Sequence, residues 1–134
     1  VYVSTSNSMT RGDKLVKSVD LEIGGQLIDR QTFEWMQIWN ELTTPGAKQG
    51  ALKYMMKSGG VNHTGLAIIP LQFWFCRNPG LALPLIALQY HEVKIKIEFA
   101  AVGTSTGHSL WCDYIYLDTD EQRRLAGLCA LLCG

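Results

Sequence analysis

The chain has 134 residues, which is enough for one domain with a hydrophobic core. Its 12 Lys and Arg residues balance its 12 Asp and Glu residues, so the formal net charge is zero. This balance argues against a protein that holds nucleic acid on a broad basic face, and against a polybasic membrane anchor. Hydrophobic residues make up 47% and charged residues 18%, a composition that excludes intrinsic disorder.

The sequence predicts neither a targeting segment nor a disulfide framework. It begins with Val1, and no basic segment followed by an apolar one is present, so no secretory signal is expected. The apolar stretch 78–90 is too short to span a bilayer, and we predict no transmembrane segment. The four cysteines lack C-x-x-C spacing and are expected to be reduced thiols. Two of them, Cys76 and Cys112, could form a metal site only together with His91 and His108, and their scattered positions favour incidental residues.

The first clear secondary-structure signal follows a polar segment. Residues 1–13 are rich in Ser, Thr and Asn and predict a loop or an edge segment. Val19, Leu21 and Ile23 then alternate with acidic residues, which indicates a strand with one buried face. Gly24-Gly25 follows directly and predicts a two-residue hairpin turn, because both turn positions need a positive φ.

A change of period predicts a helix next. Thr32 can cap its start, and 43–46 ends it with Thr-Thr-Pro-Gly. One face carries four large apolar residues at helical spacing, Trp35, Ile38, Trp39 and Leu42. We expect these side chains to point inward and close the end of a β-sandwich. The alternative is a sugar-stacking platform formed by the two tryptophans.

The middle of the chain predicts a loop and then a buried strand. Residues 43–66 predict a long surface loop with one helical turn near 52–56. Within it, Asn62 begins an N-glycosylation sequon, a triplet that is common by chance. Residues 68–76 predict a strand that is apolar on both faces, 77–80 a turn, and Pro84 the start of a short helix ending near Gln89.

The last third of the chain predicts two further strands and a helix. Residues 93–99 alternate between apolar and charged side chains without error, so we expect the apolar ones to be buried and Lys94 and Lys96 exposed. A loop over 103–109 and a strand over 110–117 follow. Asp118 with Asp120 could chelate a cation, but their position favours helix capping. His91 has no patterned partner for general-base chemistry and is expected to be structural.

The predicted fold class is all-β. Five or six strands with short helices in the connections indicate an antiparallel jelly-roll sandwich, although a complete jelly roll needs eight strands. A cupin-type metal enzyme would need a His and Glu cluster on adjacent strands, and His91 with Glu92 is not one. We predict no catalytic, cofactor-binding or metal-binding residues and no cofactor.

Three blocks of the sequence resemble the major capsid protein of nucleocytoplasmic large DNA viruses, in the form found in algal phycodnaviruses. The longest block is 69–97, with the run Phe-Trp-Phe-Cys-Arg-Asn-Pro-Gly at 73–80. The others are 19–42, with Val-Asp-Leu-Glu-Ile-Gly-Gly at its start, and 114–124, with Tyr-Ile-Tyr-Leu-Asp-Thr-Asp-Glu. The blocks keep the family's order and cover more than half of the chain.

The resemblance implies a structural subunit of an icosahedral capsid, a non-enzyme that assembles as trimeric capsomers. Residues 1–126 would be a partial first jelly roll of a double jelly-roll protein, and 127–134 an atypical tail. The implied partners are further copies of the same protein and other capsid proteins, without direct nucleic-acid contact. The implied location is the capsid shell of the virion, assembled in the cytoplasm of the infected host cell. The alternative from another class is a jelly-roll carbohydrate-binding module with exposed tryptophans.

Overall fold

The computed structural model describes residues 1–7, 14–56, 65–88, 91–100 and 105–132. Within these ranges the chain forms six strands and three α-helices. The strands are β1 (Tyr2–Asn7), β2 (Val16–Ile23), β3 (Gln26–Thr32), β4 (Gly65–Pro70), β5 (Val93–Phe99) and β6 (Ser105–Trp111). The helices are α1 (Phe33–Thr43), α2 (Gly46–Met55) and α3 (Thr119–Leu132), and two short 3₁₀ turns span Trp74–Cys76 and Pro79–Leu81.

The strands form two antiparallel three-stranded sheets. The first has the order β4-β1-β6 and the second the order β3-β2-β5. Side chains from both sheets meet in one hydrophobic core, to which the first sheet contributes Val3 and Ile69 and the second Val19 and Leu21. All four are at most 2% exposed. A β-sandwich is therefore present, as the strand pattern predicts.

The hairpin and the alternating strand follow the sequence closely. Gly24 and Gly25 join β2 to β3 with φ values of 59° and 82°, which a residue with a Cβ adopts only at a cost. The apolar residues of β5 are half-buried and its charged residues are exposed, including Lys94 and Lys96. The predicted alternation is confirmed, although β5 lies at a sheet edge and its inward residues are not fully covered.

The first strand was not predicted. Residues 2–7 form the central strand of the first sheet, between β4 and β6, where we expected a loop or an edge segment. The polar sequence hides this strand because its burial depends on partners distant in sequence. Ser4 is 5% exposed, and its hydroxyl accepts a hydrogen bond from the Trp111 indole at 3.0 Å.

The predicted strand over 68–76 is wrong in its second half. Strand β4 ends at Pro70, and after the Leu71 amide donates to the carbonyl of Val1 the chain turns inward. Leu71 and Phe73 are 2% and 0% exposed, and the 3₁₀ turn Trp74–Cys76 follows. The apolar residues here fill the core from irregular backbone, so alternation between two sheet faces does not apply to them.

The turn predicted at 77–80 is confirmed. The Asn78 side chain caps the 3₁₀ turn by accepting from the Gly80 amide at 3.0 Å. Residues 84–88 form hydrogen-bonded turns in place of the predicted short helix: the amides of Ala87 and Leu88 both donate to the Pro84 carbonyl. Gln89 lies outside the described residues.

Two other predicted boundaries are also corrected. The expected loop over 43–66 contains the ten-residue helix α2, which begins directly after Pro45. The expected loop over 103–109 lies largely within β6, which ends at Trp111, and residues 112–118 belong to no helix or strand. Strand β6 is thus displaced toward the N-terminus relative to the prediction of 110–117. The predicted helix after Asp118 is confirmed as α3.

Candidate functional site

The outer face of the second sheet is covered by cross-strand ion pairs. Arg30 of β3 donates two hydrogen bonds of 2.7 Å to the Asp20 carboxylate on β2. Lys96 of β5 pairs with Glu22 at 2.5 Å, and Glu98 accepts from Lys17 at 2.6 Å. These charges satisfy one another, so the face presents a self-contained polar surface.

Two of these carboxylates have shifted titration. The hydrogen bonds from Arg30 lower the pKa of Asp20 below the ordinary aspartate value. Hydrogen bonds from Lys17, and next from Ser18, lower the pKa of Glu98. Both shifts arise from ion pairing on an exposed sheet, a common structural cause, and neither marks a catalytic acid or base.

Helix α1 turns its apolar face away from the core, which corrects the prediction that this face points inward. Trp35 is 46% exposed, Ile38 51% and Leu42 79%. The buried residues of the helix are Met36 and Asn40 on the opposite side. The periodicity correctly predicts a helix, and the Thr32 hydroxyl caps it by accepting from the Trp35 amide. The periodicity does not show which side of the helix packs against the core.

The two tryptophans of α1 do not form a flat platform. Their ring centroids are 5.9 Å apart and their planes are tilted by 38°. The Arg77 guanidinium lies 4.1 Å from the centroid of the Trp39 ring, so that half-buried ring already has a cation–π partner. A sugar-binding module of this type needs coplanar exposed rings, and the arrangement does not supply them. Sequence reasoning missed the contribution of Arg77, because its turn lies 38 residues from Trp39.

A groove runs between α1 and α2. Its volume is about 350 Å³, and Leu52 and Met56 provide apolar lining while Glu41 and Lys53 provide charged lining. Two polar contacts of the Asn40 side chain lie at the base of this groove. The Gln72 side chain donates to the Asn40 side-chain oxygen at 2.8 Å, and the Asn40 side-chain amide contacts the Met56 sulfur at 3.7 Å. The two helices and the segment after β4 are thus held together at this end of the sandwich.

The segment after β6 is exposed and aromatic. Tyr114, Ile115 and Tyr116 are 68%, 54% and 95% exposed. Asp118, which could chelate a cation with Asp120, instead accepts a hydrogen bond from the Thr119 amide at 2.7 Å as α3 begins. This bond is to the first amide of the helix, whereas an N-cap side chain accepts from the second or third, so the helix-capping role stays a prediction.

The other residues considered for chemistry do not form one cluster, although Cys76 and Cys112 lie close enough for their thiols to interact electrostatically. Cys76 is half-buried and burial raises the pKa of its thiol, whereas Cys112 is exposed, and both are free cysteines. His108 stacks on Phe99 with centroids 4.0 Å apart, and His91 packs over Gly24 at the hairpin. No group of three or more His, Cys, Asp or Glu side chains within the described parts of the chain could hold a metal ion. The sequon at Asn62 and the cysteine Cys133 lie outside those parts.

Across the same described residues, every helix is too short or too polar to span a membrane.

Comparison with known proteins identifies the family. Residues 2–106 match the family model described as the major capsid protein N-terminus. The chain is 52% identical to the major capsid protein of Pyramimonas orientalis virus, over 86% of this chain and 33% of that protein. It is 36% identical to the major capsid protein of Paramecium bursaria Chlorella virus 1, over 87% of this chain and 30% of the relative. The chain therefore spans about a third of the length of these relatives.

The solved structures agree. A crystal structure of PBCV-1 VP54, fitted into a cryo-EM reconstruction of the virophage Sputnik, matches with a TM-score of 0.78 and 32% identity. The match covers 93% of this chain and 36% of that one. The same TM-score and coverage hold for a quasi-atomic model of the PBCV-1 virus capsid. The predicted antiparallel jelly-roll class is thereby confirmed, and the chain belongs to the family of viral major capsid proteins, within their N-terminal region.

Proposed function

We propose that this chain is the N-terminal part of a structural subunit that builds the icosahedral shell of a large DNA virus. The observation that carries the proposal is the family match over residues 2–106, joined to a backbone that superposes on a capsid protein with a TM-score of 0.78. The sandwich supports it because its surface contains a self-paired charged face and an exposed apolar helix. Both features suit a subunit that packs against other subunits better than a protein that binds a substrate in a pocket.

The proposed domain division takes its boundary from the family resemblance: residues 1–126 form part of the first jelly roll of a double jelly-roll protein, and 127–134 are an atypical tail. Helix α3 (Thr119–Leu132) runs across that boundary, so the boundary is one of sequence pattern and not of secondary structure. Six of the eight strands of a jelly roll are present in the described residues, which supports a partial first jelly roll. The relatives are about three times as long, which leaves room for a second one.

The proposed mechanism is self-association without catalysis. Copies assemble as trimeric capsomers, which pack with one another and with other capsid proteins. Apolar area buried between copies supplies affinity, and complementary charges fix the geometry. The net charge of zero suits a dense lattice of identical copies and gives no basis for direct nucleic-acid binding. The location is the capsid shell, assembled in the host cytoplasm.

The test is to express the protein at its natural full length and measure its mass by sedimentation velocity and its shape by electron microscopy. We expect a trimer with a pseudo-hexagonal outline. Mass spectrometry of purified virions should find the protein in stoichiometric excess over internal proteins. A protein that stays monomeric at every accessible concentration and is absent from the virion shell would contradict the proposal.

A further inference from the structure

Helix α1 presents a bulky apolar stripe with acidic flanks on the side opposite the core. Trp35, Ile38 and Leu42 lie at i, i+3 and i+7 and are each about half exposed or more. The charged residues of the helix are Glu34 and Glu41, and it has no basic residue. Large exposed apolar residues arranged as a continuous stripe are typical of a contact surface and unusual for a helix facing water.

Helix α2 presents a complementary surface. Ala47, Ala51 and Met55 lie at i, i+4 and i+8, so they form one exposed stripe in which two of the three residues are small. The charged residues of this helix are Lys48 and Lys53, and it has no acidic residue. A ridge of large side chains packs well into a row of small ones, and the opposite charges of the two helices favour that pairing.

The charges on these helices differ from those on the second sheet. The carboxylates of the sheet are held by cations of the same chain, such as Asp20 by Arg30. By contrast, no ion pair within the described residues involves a charge of α1 or α2, whether glutamate or lysine. Glu41 and Lys53 line the groove between the two helices of the same chain, and Glu34 and Lys48 are exposed outside it.

We propose that the exposed stripe of α1 docks on α2 of a second copy of this chain. The inference rests on the proposed capsid function and specifies one contact within it. Pairing of α1 with α1 would bring Glu34 and Glu41 of two copies together, which like-charge repulsion disfavours. Pairing of α1 with α2 joins two different surfaces, and such a heterologous contact repeats around a ring until the ring closes. It thus fits a closed trimer of identical copies.

The first experiment reverses charges in the full-length protein. In one variant Glu34 and Glu41 become Lys, and in the other Lys48 and Lys53 become Glu. Each variant makes both helices carry the same sign, and we expect each to weaken association at least about tenfold by sedimentation velocity. Circular dichroism and thermal melting establish that each variant is folded, since all four residues are exposed.

The decisive step is to mix the two variants. In a mixed trimer two of the three contacts join unlike copies and pair a basic helix with an acidic one, whereas the third joins like copies and stays repulsive. We therefore expect mixing to restore association in part, detected by native mass spectrometry as oligomers that contain both variants. Failure of mixing to restore it would show that the charges act within each chain, and would overturn the inference.

The apolar part is tested with Leu42→Ser, which removes the most exposed residue of the stripe. We expect it to weaken association severalfold, while Tyr116→Ser, a control at a 95% exposed position outside both helices, leaves association unchanged. If wild-type protein forms trimers and all helix variants do too, the docking inference is wrong and the capsid function stands. If wild-type protein does not associate at all, the proposed function itself fails.

Discussion

At the scale of single residues, the hairpin between β2 and β3 depends on Gly24 for two separate reasons. Its φ is +59°, and a Cβ at this position would lie 2.9 Å from His91 Nδ1. Gly25 has a φ of +82°, but a Cβ there would meet no atom within 4 Å. Both positions disfavour a side chain on backbone grounds, and only Gly24 adds a steric conflict.

This difference makes the two glycines a matched pair. Gly25→Ala should lower the free energy of unfolding by about 1–2 kcal/mol, the cost of left-handed backbone. Gly24→Ala should cost about 1 kcal/mol more, because the ring must move as well. Urea unfolding of the full-length protein measures both. Combining Gly24→Ala with His91→Ala should remove the excess, and an excess that persists would show that the ring is not its cause.

A second residue-scale prediction concerns pH. Hydrogen bonds from Arg30 lower the pKa of Asp20, so the pair stabilises the fold above the ordinary aspartate pKa, and this contribution is lost as pH falls through the lowered value. Arg30→Gln should raise the Asp20 titration midpoint, measured by NMR of its side-chain carboxyl. Lys17→Gln is the control: it should raise the midpoint of Glu98 and leave Asp20 in place. Equal shifts of Asp20 in both variants would contradict the pairing.

At the scale of elements, local signals predict structure where neighbours in sequence are also neighbours in space. The Gly-Gly hairpin is of this kind and is confirmed. Strand β5 pairs with β2, about 70 to 80 residues earlier, but its own strict alternation predicts it and is also confirmed. Strand β1 has neither signal, because its partners β4 and β6 lie about 60 and 100 residues away and its Ser and Thr residues lack alternation. Residues 71–76 show the converse: apolar sequence predicts burial there but not the form of the backbone.

Helix α1 shows that local sequence signals are limited in the same way for the candidate site. The apolar periodicity of α1 predicts a helix with one apolar face, and the structure contains both the helix and the face. The assumption that the apolar side meets the chain's own core fails, since a period carries no information on which surface it will cover. Arg77 against Trp39 is likewise a contact between distant segments. The sequence therefore predicts which residues form the apolar face of α1, but not whether this face meets the core or the solvent.

At the element scale, we predict that removing the Asn40 side chain destabilises the fold, because this side chain links α1, α2 and the segment after β4. It is 7% exposed, and its side-chain oxygen accepts from Gln72 at 2.8 Å. Asn40→Ala should lower the free energy of unfolding by about 1–3 kcal/mol, since a half-buried donor loses its partner. Thr43→Ala is the control on the same helix. Its exposed hydroxyl donates to the Trp39 carbonyl, and its loss should cost under about 0.5 kcal/mol.

At the scale of the whole molecule, the two sheets formed by the described residues have four edge strands. Strands β4 and β6 flank the first sheet, and β3 and β5 flank the second. Each edge presents unpaired backbone N–H and C=O groups, which pair readily with strands of other chains. Edge strand β6 also carries exposed apolar side chains, Leu110 at 41% and Trp111 at 56%. A capsid subunit would cover such edges with further strands or with neighbouring copies.

The last prediction follows from these edges: residues 1–134 expressed alone will self-associate and will be poorly soluble. Open edges and half-covered core residues such as Phe99 leave apolar area exposed that further strands would bury, at about 25 cal/mol per Å². Leu110→Lys should reduce the association, because a charge on an edge strand opposes pairing. Tyr116→Lys adds the same charge outside any strand and should reduce it less. Sedimentation velocity at several concentrations measures both, and thermal melting reports cooperativity. A monodisperse monomer with one cooperative transition would show that the 134 residues form a self-sufficient domain, and would count against a partial jelly roll.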